Sequence, residues 1–160
     1  MKILYSAQQI DQRITELANE INKNHKELVI IGVLNGSFMF LSDLMKKITI
    51  PCQIDFIRVK SYVDNKSSGT ITWTKELELD IKGKDVLIID DIVDSGLTMK
   101  MLITEFATYR PKQIVSATLL SRSSARATYV GFVVESDDYV IGYGLDDNGY
   151  SRNLPEIYIK

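Results

Sequence analysis

The sequence predicts an α/β fold in which a mainly parallel central sheet is flanked by helices on both faces. Two patterns predict it. Helix-spaced and strand-like apolar segments alternate through the first half of the chain, and a strand, helix, strand unit repeats in the centre. Several strand-like segments are apolar throughout instead of alternating, as strands covered on both faces must be.

Each element has its own signal. Ser6 and Gln9 form a Ser-x-x-Gln capping box ahead of Ile10, Ile14, Leu17 and Ile21, one apolar stripe on a helix running to about Asn22. Residues 28–34 (LVIIGVL) form a buried strand, broken by Asn35-Gly36-Ser37. Phe38, Leu41, Leu44, Met45 and Ile48 then return at helical spacing. Residues 53–62 (QIDFIRVKSY) are rich in β-formers and predict a strand. Residues 63–69 (VDNKSSG) have almost no apolar content, so a long mobile loop is expected before a second strand at 71–74. Lys82-Gly83-Lys84 is a turn into a strand at 85–89. Met99, Leu102, Ile103 and Phe106 mark a helix that stops near Arg110-Pro111. Residues 114–120, 130–134, 139–143 and 156–159 read as further strands.

Composition narrows the function. A chain of 160 residues is one ordinary domain, expected to span 1–160 without a linker. Its net charge of −2 lacks the basic footprint of a dedicated nucleic-acid binder. No apolar run is long enough to cross a bilayer, and the N-terminus has no apolar signal region, so a soluble cytoplasmic protein is expected. The one cysteine, Cys52, excludes an intrachain disulfide and a cysteine-based zinc cluster, and reads as a structural thiol. The one histidine, His25, reads as a surface residue at a helix end.

The most informative segment is Val86-Leu87-Ile88-Ile89-Asp90-Asp91-Ile92-Val93-Asp94-Ser95-Gly96-Leu97-Thr98. An apolar strand runs directly into two carboxylates, followed by a turn with a third and then a helix. Ligands bind at the carboxyl ends of strands in parallel sheets. A glycine-bearing turn opening a helix presents backbone N–H groups and a positive dipole end, and Ser95 and Thr98 add hydroxyls. Such a pocket suits a monophosphate ester. Carboxylates repel phosphate, a conflict that resolves if Asp90 and Asp91 face a different part of the ligand, ribose hydroxyls or the magnesium that accompanies a pyrophosphate. Asp-Asp at a strand end and Asp-Ser-Gly in a turn are each common alone, whereas their succession in this order is not.

That segment resembles the motif by which type I phosphoribosyltransferases, above all the hypoxanthine-guanine branch, bind phosphoribosyl pyrophosphate (PRPP). Val33-Leu34-Asn35-Gly36-Ser37-Phe38-Met39-Phe40 is similar to that family's first active-site loop, and Phe56-Ile57-Arg58-Val59-Lys60-Ser61-Tyr62 to the strand entering its mobile loop. Val130-Gly131-Phe132, 139–146 (YVIGYGLD) and 150–155 (YSRNLP) resemble its hood, built mostly from the C-terminal part.

The resemblance implies transfer of the phosphoribosyl group of PRPP to N9 of hypoxanthine or guanine, with Mg2+ as cofactor and no nucleic-acid or membrane partner. Asp94 would be the general base facing purine N7. The run Asp90, Asp91, Ile92, Val93, Asp94, Ser95, Gly96, Leu97 and Thr98 would hold the ribose and its 5′-phosphate. Asn35, Gly36, Ser61, Tyr62 and Arg152 would face pyrophosphate. Arg122, Tyr139, Val140 and Asp146 would form the purine side, with Tyr139 stacked on the ring. Asp90, Asp91 and Asp146 would serve magnesium. The loop after Tyr62 would close over the site and exclude water. A homodimer or homotetramer is expected.

Three departures accompany the resemblance. Asn35 stands where the family usually has a basic residue, and the Asn35-Gly36 bond is the expected position of a cis peptide. Arg122 replaces the usual lysine facing the purine 6-oxo group, with a planar fork of different reach. The stretch between Arg122 and Tyr129 is short. Three other readings stay open: a relative favouring xanthine or another 6-oxopurine; a regulatory nucleotide- or RNA-binding module of the same fold, which would need a basic face; and an unrelated nucleotide-binding α/β domain, which would leave the hood-like C-terminal segments unexplained.

Overall fold

The computed structural model describes residues 1–62, 70–122 and 127–160. Helix α1 (Ala7–Asn24) starts at the expected capping box: Gln9 N–H donates to Ser6 Oγ at 3.2 Å, and Ser6 N–H to Gln9 Oε1 at 2.9 Å. Its stripe of Ile10, Ile14, Leu17 and Ile21 is fully buried. Ahead of it lies a short strand, β1 (Lys2–Tyr5), which the sequence reading did not anticipate because four residues carry too little periodicity.

The main sheet contains β2 (Leu28–Val33), β3 (Cys52–Tyr62), β4 (Thr70–Lys75), β5 (Asp85–Val93), β6 (Gln113–Arg122) and β7 (Tyr129–Val134), in the order β4-β3-β2-β5-β6-β7. All neighbours run parallel except β3 and β4, which form the antiparallel ribbon expected there. Helix α2 (Phe38–Met45) follows β2, and α3 (Leu97–Ala107) follows β5. The continuous apolar strands divide their side chains between two layers. Leu28, Ile30, Leu87 and Ile89 pack with α1 and α2, while Val29, Ile31, Val86 and Ile88 pack with Met99, Leu102 and Phe106 of α3. A strand covered on both faces has no polar side to show, which is why these runs are apolar throughout.

A second, antiparallel sheet joins β1 to β8 (Val140–Ile141) and β9 (Ile157–Ile159), in the order β1-β9-β8. The N-terminal strand thus completes a layer whose other strands come from the C-terminus. Arg13 of α1 secures the far edge of the main sheet by donating from Nε to the Gly131 carbonyl (2.7 Å) and from Nη2 to the Val130 carbonyl (2.8 Å). These would otherwise be open edge groups.

Two expectations need correction. His25 is not a surface residue: it is 8% exposed, and its Nε2 lies 2.9 Å from the Tyr129 hydroxyl, which also accepts from Asn24 Nδ2 at 3.2 Å. Helix α1 runs two residues past Asn22, and the fold of β7 against it covers the ring. Strand β5 does not stop before the two carboxylates but carries them within it, because Asp90, Ile92 and Val93 stay paired with Thr118, Leu120 and Ser121 of β6. The expected loop at 63–69 lies outside the described residues, as does most of the short stretch after Arg122. Among the described residues, no helix is long and apolar enough to cross a membrane.

Candidate active site

The chain leaves β2 toward β3 and β4, then returns to β5 on the other side of β2. A reversal of this kind opens a crevice at the C-terminal ends of the two neighbouring strands. Residues 34–37 leave β2 on one side of it, and residues 94–96 leave β5 on the other.

Gly36 sits at the closest approach. A Cβ there would fall 1.8 Å from Asp91 Oδ2, and a Cβ on Gly144 would fall 2.2 Å from the Gly36 carbonyl oxygen. Only glycines at both positions let the first loop, the acidic strand end and the turn after β8 meet. Ser37 is fully buried and donates from Oγ to the Val33 carbonyl at 2.6 Å, pinning the loop to its strand. Asn35 is exposed at the loop tip. The cis peptide of this loop is Leu34-Asn35, one bond earlier than expected at Asn35-Gly36, since a non-proline cis bond leaves no signature in sequence.

Asp90 and Asp91 each use one oxygen to cap the chain ahead. Asp90 Oδ1 accepts from Asp91 N–H at 2.9 Å, and Asp91 Oδ1 accepts from Ile92 N–H at 2.8 Å. Burial, reinforced by the Asp91 charge, pushes the Asp90 carboxyl well above the usual carboxylate range. Burial also raises Asp91, which its hydrogen bonds and the positive charge of Arg152 partly hold back. A pair that resists full ionisation in isolation is suited to accept donors or a cation from a ligand.

Beyond them the chain turns at Gly96, whose φ of 80° is a left-handed conformation that favours glycine. Leu97 N–H donates to Ser95 Oγ at 3.2 Å, and Lys100 N–H to the Gly96 carbonyl at 3.0 Å, which starts α3. Asp90, Asp94, Ser95, Gly96 and Thr98 line a concavity of about 130 Å³ at that helix N-terminus. Ile92 and Val93 contribute to its wall, while Leu97 faces the neighbouring groove toward Trp73. The helix dipole favours an anion there.

Asp94 points outward, with its side chain 82% exposed and Oδ1 3.9 Å from Arg122 Nε. Arg122 extends the other way as well, donating from Nη1 to the Ser136 carbonyl and from Nη2 to the Asp138 carbonyl at 2.7 Å. It therefore bridges Asp94 to the segment that precedes Tyr139. The Tyr139 ring is 54% exposed, and its hydroxyl donates to the Asp146 carbonyl at 2.9 Å. Val140 is buried at the start of β8. Asp146 pairs with Arg152 at 3.1 Å and accepts from Gly149 N–H at 2.9 Å, while Arg152 Nη1 donates to the Gly144 carbonyl at 2.6 Å.

The crevice thus gathers two groups of candidate residues: Asn35, Gly36, Asp90, Asp91, Asp146 and Arg152, and beside them Asp94, Arg122, Tyr139 and Val140. Ser61 and Tyr62 end β3, paired with Ile71 and Thr70. Sequence reasoning did not single out Gly144, or Thr118, whose hydroxyl donates to the Asp91 carbonyl at 3.3 Å. The Gly142-Tyr143-Gly144 triplet was the available signal for the first; a buried threonine in an apolar strand was a weak one for the second. Among the described residues, no three His, Cys, Asp or Glu side chains converge into a ready metal cage.

Comparison with known proteins gives a consistent result. Residues 1–147 match the family model described as a phosphoribosyl transferase domain. A hypoxanthine-guanine phosphoribosyltransferase of Aquifex aeolicus is 40% identical, with 99% of this chain and 94% of that protein covered. A hypoxanthine-guanine-xanthine phosphoribosyltransferase of Tritrichomonas foetus is 37% identical over 99% of this chain and 90% of its own. The crystal structure of a hypoxanthine-guanine phosphoribosyltransferase from Bacillus anthracis superposes with a TM-score of 0.91 at 35% identity, covering 99% of this chain and 96% of that one.

Proposed function

The chain belongs to the phosphoribosyl transferase family, and from that premise we infer that it is a purine-salvage enzyme of the glycosyltransferase class. It transfers the 5-phosphoribosyl group of PRPP to N9 of hypoxanthine or guanine, giving the nucleoside monophosphate and pyrophosphate. The observation that carries this reading is the meeting of Gly36, Asp91 and Gly144 at the switch point of the sheet. It joins a phosphate-sized concavity at α3 to an Arg152-bearing turn through a pair of acids.

The bond to pyrophosphate breaks as positive charge grows on the sugar, so the protein must hold three things: the 5′-phosphate, the ribose and the leaving group. The turn from Ser95 to Thr98, at the N-terminus of α3, holds the 5′-phosphate. Asp90 and Asp91 accept from the ribose hydroxyls. Arg152 and the backbone of the Asn35-Gly36 loop face pyrophosphate, with Ser61 and Tyr62 at the neighbouring strand end. Tyr139 stacks on the purine, the backbone at Val140 meets its edge, and Arg122, tied to the Ser136 and Asp138 carbonyls, offers its remaining N–H groups toward the 6-oxo group. Asp94, open to the crevice, takes the proton the purine loses.

Magnesium fits the donor set as an ion that arrives with pyrophosphate. Mg2+ usually keeps several waters and takes one or two carboxylates, and Asp146 with the Asp90-Asp91 pair offers that without a protein cage. When bound, it supplies charge neutralisation of the leaving group. We further propose a cytoplasmic homodimer or homotetramer.

The test is a magnesium-dependent assay with PRPP and, separately, hypoxanthine, guanine, xanthine and adenine, run beside Asp94→Asn. Rapid nucleotide formation from a 6-oxopurine, lowered by about 10²–10⁴-fold in the variant, is the expected outcome. No turnover of any base by folded protein would overturn the reading.

A further inference from the structure

Gly36 is not the only bridge between the first loop and the turn after β8. Asp43, on α2 two turns past that loop, accepts a hydrogen bond from the Tyr143 hydroxyl. Tyr143 precedes Gly144, the residue that packs on the Gly36 carbonyl.

Everything around Tyr143 fixes the direction of its ring. The residue is 4% exposed, with φ at 50°, a conformation unusual for a tyrosine. Gly142 and Leu145 exchange backbone hydrogen bonds at 3.1 Å across it, its own N–H donates to the Leu154 carbonyl at 2.8 Å, and Gly144 N–H donates to the Arg152 carbonyl at 2.9 Å. Its hydroxyl, carried to α2, meets a carboxylate. Burial alone would raise Asp43, but hydrogen bonds from Lys46 and Tyr143 outweigh it and hold the group below its usual value, so it meets the hydroxyl as an anion. A buried hydroxyl on a charged acceptor is among the stronger hydrogen bonds a protein makes.

We propose that Asp43 and Tyr143 are positioning residues for PRPP: a strut between α2 and the 142–145 turn that sets where Arg152, bound to the Gly144 carbonyl, stands relative to the Asn35-Gly36 loop. The inference rests on the proposed function, because it assigns that loop and Arg152 to the pyrophosphate side. The strut touches neither the 5′-phosphate turn nor the Arg122–Tyr139 segment. Cutting it therefore loosens the pyrophosphate side selectively.

The experiment is steady-state kinetics on Tyr143→Phe, Asp43→Ala and the double variant, with Lys46→Ala as control. Lys46 pairs with Asp43 at 2.6 Å from the solvent side, and its loss leaves the Tyr143 hydroxyl on the Asp43 carboxylate. KM for PRPP is expected to rise about tenfold in each strut variant, the scale of one lost hydrogen bond to a charged group. KM for the purine should stay within about twofold, and the double variant should be no worse than the poorer single. Lys46→Ala should match the wild type. Equal rises in both KM values, or an unchanged KM for PRPP, would overturn the strut, as would additive single effects. If Tyr143→Phe does not fold, Asp43→Ala decides by the same split. A wild type that turns over no PRPP defeats the proposed function itself, whereas an active wild type with indifferent variants defeats only this inference.

Discussion

Gly36 carries more of the site than its lack of a side chain suggests. It is wedged between the Asp91 carboxylate and the backbone at Gly144, so any Cβ must displace one of them. Gly36→Ala should therefore leave the central sheet intact and shift the loop, by a distance at which misplacement costs about a hundredfold in rate. The check is kcat/KM for PRPP alongside circular dichroism; an unaltered kcat/KM would mean that the loop tolerates the displacement. Asp94 differs in kind, being exposed and free of close packing, so its replacement by Asn should cost activity and little stability.

Among the elements, the β3–β4 ribbon depends on one buried carboxylate. Asp55 is 7% exposed, and its Oδ2 accepts from Glu78 N–H at 2.7 Å and Leu79 N–H at 3.0 Å. Its Oδ1 accepts from Phe56 N–H at 2.7 Å and lies 3.4 Å from Lys75 Nζ. The segment returning from β4 is tied to the sheet through this residue. Asp55→Ala strands three backbone donors and should cost about 3 kcal/mol in urea unfolding. Burial pushes the Asp55 carboxyl up, but the three backbone N–H groups and Lys75 outweigh it and hold it below its usual value. A carboxyl whose folded pKa lies below its unfolded value of about 3.9 stabilises the protein above that pH. The contribution is lost as pH falls through the folded pKa. Wild-type urea midpoints should therefore drop below about pH 4, and the Asp55→Ala curve should be flatter there. Parallel curves would assign the acid sensitivity to other groups.

At the scale of the whole molecule, the loop after β2 meets the turn after β8 at the crevice, and a ligand spanning them should hold them together. PRPP with magnesium at a hundred times its Kd should add about 2.7 kcal/mol. For a domain of this size that is a rise in Tm of about 5–10 °C. A chelator should abolish most of the rise, yet leave the Tm of the free protein unchanged, because no three-ligand cage exists among the described residues. A chelator that lowered the Tm of the free protein would reveal a resident metal instead.

Local signals along the chain were enough to read the sheet, the helices on its faces and the segment from Asp90 to Thr98. Those depend on local periodicity and on residues adjacent in the chain. The capping box at Ser6 and the two-layer division of Leu28 to Val33 belong to the same class. The resemblance to the family came from such contiguous stretches. Folding sets what distant segments do to one another. It buried His25 under Tyr129, drew β1 into a sheet with β9, carried β5 through its two acids by pairing with β6, and set Gly36 against both Asp91 and Gly144. It also turned the Arg122 guanidinium onto two carbonyls near Tyr139 and joined Asp43 to Tyr143 across 100 residues. The pairing itself is not written in the sequence in any of these, because each is a contact between backbones or polar groups whose partners lie far apart along the chain, and a single residue's type does not say which partner the fold will bring to it.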